Sequence, residues 1–183
     1  PIIPAFFFTP EGFPVVRLQR AFLGKWINKI KQRFSIHTNI YRKTIHNSAL
    51  LIEKKFGKYF SATPHHNVDA YLKSDYRKVA EVDFKDEIAA TITHHIRSES
   101  DIQRIIYLYY ALAVKRGKSR QVGRKESCRI RLHKPDYMYF IRKYRPFLFC
   151  LNDTHHATDE DRGRVKAFLE ALFPEKSSFE TSK

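Results

Sequence analysis

Apolar positions recur at helical spacing through most of this chain and alternate at strand spacing only towards its carboxyl end. From Val15 to Phe34, the residues Phe22, Leu23, Trp26, Ile27, Ile30 and Phe34 form a stripe opposite Lys25, Asn28, Lys29 and Gln32. That pattern predicts a basic amphipathic helix. A second helix is predicted from Tyr41 to Phe56, with Ile45, Ala49, Ile52 and Phe56 as its stripe and Gly57 placed to end it. A third is expected over Asp69 to Val82, with Asp69 at its start. A fourth runs from Asp101 to Lys115, with the stripe Ile102, Ile105, Ile106, Tyr109 and Leu112, Ser98 or Ser100 as cap and Gly117 as stop. Phe84 to Thr93 and Tyr137 to Tyr144 carry no decisive period, and residues 115–125 (KRGKSRQVGRK) read as a basic loop.

Cys128 to Leu132 alternates and reads as a strand. The run Phe147-Leu148-Phe149-Cys150-Leu151 is too short for a stand-alone helix and reads as a buried strand, ended by Asn152-Asp153. In α/β folds, ligands sit at the carboxyl ends of strands, so this run is both core and candidate site. A last helix is predicted from Thr158 to Leu172. Thr158 is its cap, Asp159, Glu160 and Asp161 sit where the helix dipole favours anions, and Val165, Phe168, Leu169 and Leu172 face inward. The pattern gives an α/β fold, helix-rich with a few strands. Residues 1–183 read as one domain: an extended arm 1–14, a helical region 15–116, a strand–helix region 126–174 and a polar tail 175–183.

Charge adds what periodicity does not show. Lys and Arg exceed Asp and Glu to give a net charge of +15, which implies an anionic partner: nucleic acid, a phospholipid surface or phosphorylated small molecules. Aromatic residues interleave with cations in Tyr137 to Phe147, as single-strand binders use. No RRM, KH or zinc-finger motif accompanies them, so nucleic acid is not the expected partner. No apolar run is long enough to span a bilayer, and Pro1 to Phe8 lack a basic signal-peptide start. Two cysteines make no disulfide scaffold and suit a reducing compartment.

Six of the nine histidines form adjacent pairs, His65-His66, His94-His95 and His155-His156. Neutral imidazole suits proton transfer and zinc, but none of these pairs has zinc-frame spacing. Arg97 precedes a predicted helix start, where a guanidinium and free backbone N–H groups suit a phosphate. Asn152 and Asp153 either begin a turn or hold a hard cation such as Mg2+.

Several stretches resemble, in order, the Stealth proteins, sugar-phosphate transferases that include bacterial capsular polysaccharide polymerases and the catalytic subunit of GlcNAc-phosphotransferase. Residues 6–17 (FFFTPEGFPVVR) resemble the segment after that family's acidic block. Residues 46–57 (HNSALLIEKKFG), 64–73 (PHHNVDAYLK) and 96–110 (IRSESDIQRIIYLYY) resemble its third block, and 145–153 (RPFLFCLND) with 165–180 its fourth. The resemblance implies transfer of a sugar-1-phosphate from a nucleotide-sugar donor to a saccharide hydroxyl, making a phosphodiester in capsule or exopolysaccharide synthesis. It implies His66 as the catalytic histidine, with His65 as the alternative register, and Arg97 as the catalytic arginine. His65, Lys73 and Asn152 are implied at the substrate, and Asp153 at Mg2+. The family's first two blocks have no counterpart here. The chain therefore reads as the C-terminal half of such an enzyme, its strands completing the sheet of a larger nucleotide-sugar-transferase-like domain. A cytoplasmic location, peripheral at the inner membrane face, is expected. The alternative expectation is a non-enzymatic basic module for nucleic acid or anionic membrane.

Overall fold

The computed structural model describes residues 6–19, 30, 33, 39–65 and 68–175, with the backbone alone for Arg129. Most of the predicted amphipathic stretch to Phe34, His66 and the end of the tail lie outside the described residues. The chain divides into two compact units, residues 1–122 and 123–183.

In the first unit, β1 (Val15–Gln19) pairs in parallel with β2 (Lys118–Val122), Val15 opposite Lys118 and Gln19 opposite Val122. The first five residues of the stretch predicted as a helix are thus a strand, and part of the predicted basic loop is its partner. Tertiary placement of Arg17 accounts for the first change. Its side chain is buried, its Cζ lies 4.4 and 5.0 Å from the ring centroids of Phe6 and Phe7, and its Nη1 donates to the Phe6 carbonyl at 3.2 Å. Val15 and Val16 add β-branched side chains that favour extended backbone.

Helix α1 (Ile40–Phe56) follows, capped by Asn39, whose Oδ1 accepts from the Tyr41 N–H at 2.9 Å. Gly57 ends it at φ +68°, as its position in the sequence anticipates. Helix α2 (Lys73–Arg77) runs into a π-helical segment, Lys78–Asp83, and α3 (Lys85–Ile92) fills the stretch whose pattern was undecided. Helix α4 (Ile105–Ala113) is apolar on all faces, and all its residues but Tyr107 and Leu112 are buried. A helix of that kind belongs in a core. Ile45, Ala49 and Ile52 of α1 pack in one cluster with Ile105, Ile106 and Tyr109.

Two helix starts differ from the sequence reading, for one physical reason. Asp69 and Asp101 spend their carboxylates on side chains and loop amides instead of capping (below), so α2 begins at Lys73 and α4 at Ile105. The Gln103 N–H, just before α4, donates to Ser48 Oγ on α1 at 2.8 Å.

In the second unit, β3 (Ser127–Arg131) and β4 (Leu148–Asn152) are parallel, Ser127 opposite Leu148 and Arg131 opposite Asn152. Helices α5 (Asp136–Tyr144) and α6 (Asp159–Leu172) complete it. Cys128, Ile130, Leu132, Tyr137, Ile141, Val165 and Phe168 form the core. The expected burial of the Phe147 run is corrected: Phe147 is 57% exposed and β4 is half-buried along its length. Among the described residues β4 has one neighbouring strand, so its far edge has no strand partner. Thr158 caps α6 through a reciprocal box with Asp161, as its sequence signals, whereas Leu172 is exposed and not inward-facing. No helix of the described residues is long and apolar enough to cross a membrane.

Candidate functional site

Arg97 sits on the loop between α3 and α4, and one side chain organises that loop. Asp101 is buried, its Oδ2 accepts from the Ser98 N–H at 2.7 Å, and its Oδ1 lies 2.6 Å from His94 Nδ1. These contacts hold the Asp101 carboxyl below the usual carboxylate range, the Ser98 amide most strongly, with His94 and Arg97 adding to it. From α1, Asn47 Nδ2 donates to the carbonyls of Glu99 and Asp101, both at 2.8 Å, and Lys43 pairs with Glu99. Thr91 Oγ1 accepts from the Ile102 N–H at 3.1 Å. The loop is therefore tied to α1, to α3 and to itself.

Arg97 itself is exposed, its Cζ 5.3 Å from the ring centroid of Tyr41 at the start of α1. A guanidinium over an aromatic face keeps its N–H edge open to an anion. Among the described residues Arg97 makes no ion pair, whereas Lys43, Arg104 and Arg116 pair with Glu99, Asp69 and Asp75.

The segment carrying the His65-His66 pair is anchored to the same helix α4. Pro64 bridges Leu18 on β1, and the His65 N–H donates to the Arg17 carbonyl at 2.7 Å, leaving His65 half-buried beside that strand. Before it, Phe60 stacks on Tyr109 at 5.4 Å and Tyr109 Oη donates to the Ala62 carbonyl at 3.0 Å. After it, Asp69 pairs with Arg104, whose Nη1 also donates to Tyr71 Oη at 3.1 Å. Tyr107 meets Tyr71 edge-on and stacks on Tyr76 at 4.4 Å, and burial pushes the Tyr71 and Tyr107 hydroxyls up. A cleft of about 460 Å³ opens beside this segment, lined by Leu18, Phe60, Ala62 and Tyr109 with Lys115 and Lys118 among its polar groups. Lys73 is exposed at the first position of α2 and unpaired among the described residues.

In the second unit, Asn152 ends β4 half-buried, and its carbonyl accepts from the Leu132 N–H at 3.2 Å. Asp153 follows it, exposed and clasped by Arg162 of α6: Nε donates to Oδ2 at 2.9 Å and Nη2 to Oδ1 at 3.3 Å. The guanidinium holds the Asp153 carboxyl below the usual range. Both carboxylate oxygens are thus committed, and among the described residues no group of three His, Cys, Asp or Glu side chains is placed to share a metal ion. A Mg2+ ion at Asp153 would share that carboxylate with Arg162 and take its other ligands from phosphate and water. The same strand ends carry an imidazole group: His133 Nδ1 is 3.2 Å from Thr154 Oγ1, and the His156 ring lies 5.4 Å from His133 and 3.8 Å from His155.

The structure thus places His65, Lys73 and Arg97 in the first unit and Asn152 and Asp153 in the second, with His66 outside the described residues. The sequence reading missed Asn47, Asp101 and the Asp69–Arg104 pair. Asp101 had one available signal, an acidic residue inside the Arg-Ser-x-x-Asp-Ile string; Asn47, inside the predicted helix Tyr41–Phe56, was marked only by its place in the 46–57 string.

Residues 140–183 match the family model for Stealth protein CR4, conserved region 4. The chain is also 30% identical over 151 residues to the capsular polysaccharide phosphotransferase SacB of Neisseria meningitidis serogroup A, covering 76% of this chain and 28% of that protein. The SacB of Neisseria meningitidis serogroup A / serotype 4A (strain DSM 15465 / Z2491) matches with the same identity and coverage. The chain spans 28% of the length of these curated relatives. The ordered resemblances along the sequence, the conserved-region match and the extended similarity to SacB agree: the chain carries conserved region 4 of the Stealth proteins and is similar over most of its length to a capsular polysaccharide phosphotransferase.

Proposed function

We propose that this chain is part of a capsular polysaccharide phosphotransferase that moves a sugar-1-phosphate from a nucleotide-sugar donor to a hydroxyl of a saccharide acceptor. The similarity to SacB over most of the chain carries this reading. The open guanidinium of Arg97 on a many-times-tied loop supports it.

In the reaction, the acceptor oxygen forms a bond to the donor's sugar-linked phosphorus, and the bond from that phosphorus to the oxygen of the leaving nucleoside monophosphate breaks. His66, or His65 in the alternative register, takes the acceptor hydroxyl's proton, a role for which an ordinary imidazole is matched near neutral pH. Arg97 holds the non-bridging phosphate oxygens, where charge accumulates as the bonds exchange. Lys73 and Asn152 bind substrate. Asp153, paired with Arg162 at the end of β4, would offer its carboxylate to a Mg2+ ion, which would supply neutralising charge to the donor's phosphates.

The test uses the natural full-length protein that contains this sequence, supplied with nucleotide-sugar donors and an oligosaccharide acceptor, with nucleoside monophosphate release as the readout. A positioned base contributes roughly 10²–10⁴-fold, so the His65→Ala, His66→Ala double variant is expected to lose at least about 10²-fold in rate. Undiminished turnover in that variant sinks the assignment.

One observation favours a second role beside this one. Arg124 stacks over Phe140 at 4.8 Å, Lys143 lies 4.9 Å from the Tyr139 ring, and neither pairs with a carboxylate among the described residues. This cationic, aromatic face of Arg124 and α5 suits an anionic membrane surface or polymer, and it supports the reading of a protein peripheral to a membrane.

A further inference from the structure

The geometry points to Asp101 as the positioning residue for Arg97, with His94 and Asn47 as its accessories. The inference rests on the reading of Arg97 as the phosphate-binding arginine and adds what keeps that arginine in place.

An exposed arginine on a twelve-residue connection would ordinarily sample many rotamers, and ordering such a side chain costs rotamer entropy. Here the loop is closed around a single buried carboxylate. Asp101 reaches back to the Ser98 amide, directly after Arg97, and to His94, three residues before it. Arg97 is thereby bracketed on both sides by contacts to one group. Asn47 then fixes the loop to α1 by donating to two of its carbonyls, at Glu99 and Asp101. That docking sets Arg97 over Tyr41, six residues before Asn47 on the same helix. The loop and the ring that carries the guanidinium are thus held to one rigid element.

A carboxylate is the group this task requires. It accepts from a backbone amide and an imidazole at once, which a hydroxyl does less strongly and an alkyl side chain cannot do. Nothing in helix formation demands Asp101: α4 starts four residues later, and its first turn is served by Gln103, whose Oε1 accepts from the Ile105 N–H at 2.7 Å. The buried acid is committed to the loop alone.

The experiment uses the full-length protein, with inorganic pyrophosphate as the probe for the arginine site and backbone hydrogen exchange over residues 94–101 as the probe for the loop. Arg97→Ala is expected to weaken pyrophosphate about tenfold or more, and Asp101→Ala to do the same while speeding exchange in the loop and leaving α1 protected. The double variant should bind no worse than Arg97→Ala alone, since a positioning residue has nothing left to position. Asp101→Asn keeps an acceptor for Ser98 but loses the second carboxylate oxygen that faces His94, so it should bind between the wild type and Asp101→Ala. If Asp101→Ala does not fold, His94→Ala and Asn47→Ala, both of partly exposed loop contacts, must show the same non-additivity with Arg97→Ala. Faster loop exchange with unchanged pyrophosphate affinity overturns the inference, as do additive losses in the double variant. Unchanged affinity in Arg97→Ala itself overturns the underlying reading of Arg97, a separate result from failure at Asp101.

Discussion

Asp75 shows how a single buried acid sets a pH dependence. It is buried at the start of the helical segment that α2 opens, with Arg116 Nη1 2.8 Å from its Oδ1. Burial pushes its carboxyl up, and the Arg116 charge offsets this only in part. Its folded pKa therefore lies above the unfolded value, so the folded chain holds the proton more tightly. The contribution to stability is fully present below the unfolded pKa and is lost as pH rises through the folded one. Asp75→Asn removes that dependence. The variant's thermal midpoint should gain on the wild type as pH is raised from about 3 to about 7; a difference independent of pH would contradict the shift. Arg116→Gln should destabilise at neutral pH, because it leaves the buried carboxylate without its counter-charge. Residues of this sort are the ones sequence reading handles worst. Asp69, Asp75 and Asp101 look alike in the sequence, as acids in or at the start of predicted helices, yet two pair with arginines and one closes a loop. The difference lies in partners 35, 41 and 7 residues away, at Arg104, Arg116 and His94, and no local rule supplies them.

Elements were more legible, where local chemistry and packing agree. Helix α1 has a cap at Asn39, a stripe that meets α4 and a stop at Gly57, and its predicted and observed bounds differ by one residue at the start. The same agreement holds for α6 and its box of Thr158 and Asp161. Where a segment's conformation depends on a distant partner, the pattern misled: Val15–Gln19 is a strand because β2 lies beside it, and Lys118–Val122 looked like a loop because four of its five side chains are exposed. These accounts make matched predictions. Gly57→Ala places a Cβ at φ +68° and should cost about 1–2 kcal/mol, although no atom stands within 4 Å of the added Cβ. Thr158→Ala should cost about 1 kcal/mol through loss of the cap. Chemical denaturation followed by circular dichroism measures both. A Gly57→Ala chain as stable as the wild type would mean that α1 ends differently in solution.

For the whole molecule, charge is the property that the sequence states outright and the structure distributes. In the first unit Lys43, Lys55, Arg104 and Arg116 pair with carboxylates, whereas Arg124 and Lys143 in the second unit have aromatic rings for neighbours instead. Binding to anionic vesicles should therefore fall steeply with salt, and Arg124→Gln with Lys143→Gln should weaken it at low salt while leaving pyrophosphate binding in place. Vesicle affinity indifferent to salt, or to these two substitutions, would dismiss the α5 face as the contact. The two parallel strand pairs carry a different consequence. Parallel ladders are ordinarily covered on both faces and sit within wider sheets, yet among the described residues each ladder here has two strands, and beyond the Pro64–His65 segment on β1 no further chain pairs with their outer edges. Such edges recruit whatever extended chain is nearest. Prepared by itself, this polypeptide should be prone to clump through its backbone, whatever its side chains carry, and co-expression with the rest of its natural protein should be what makes it tractable at the bench.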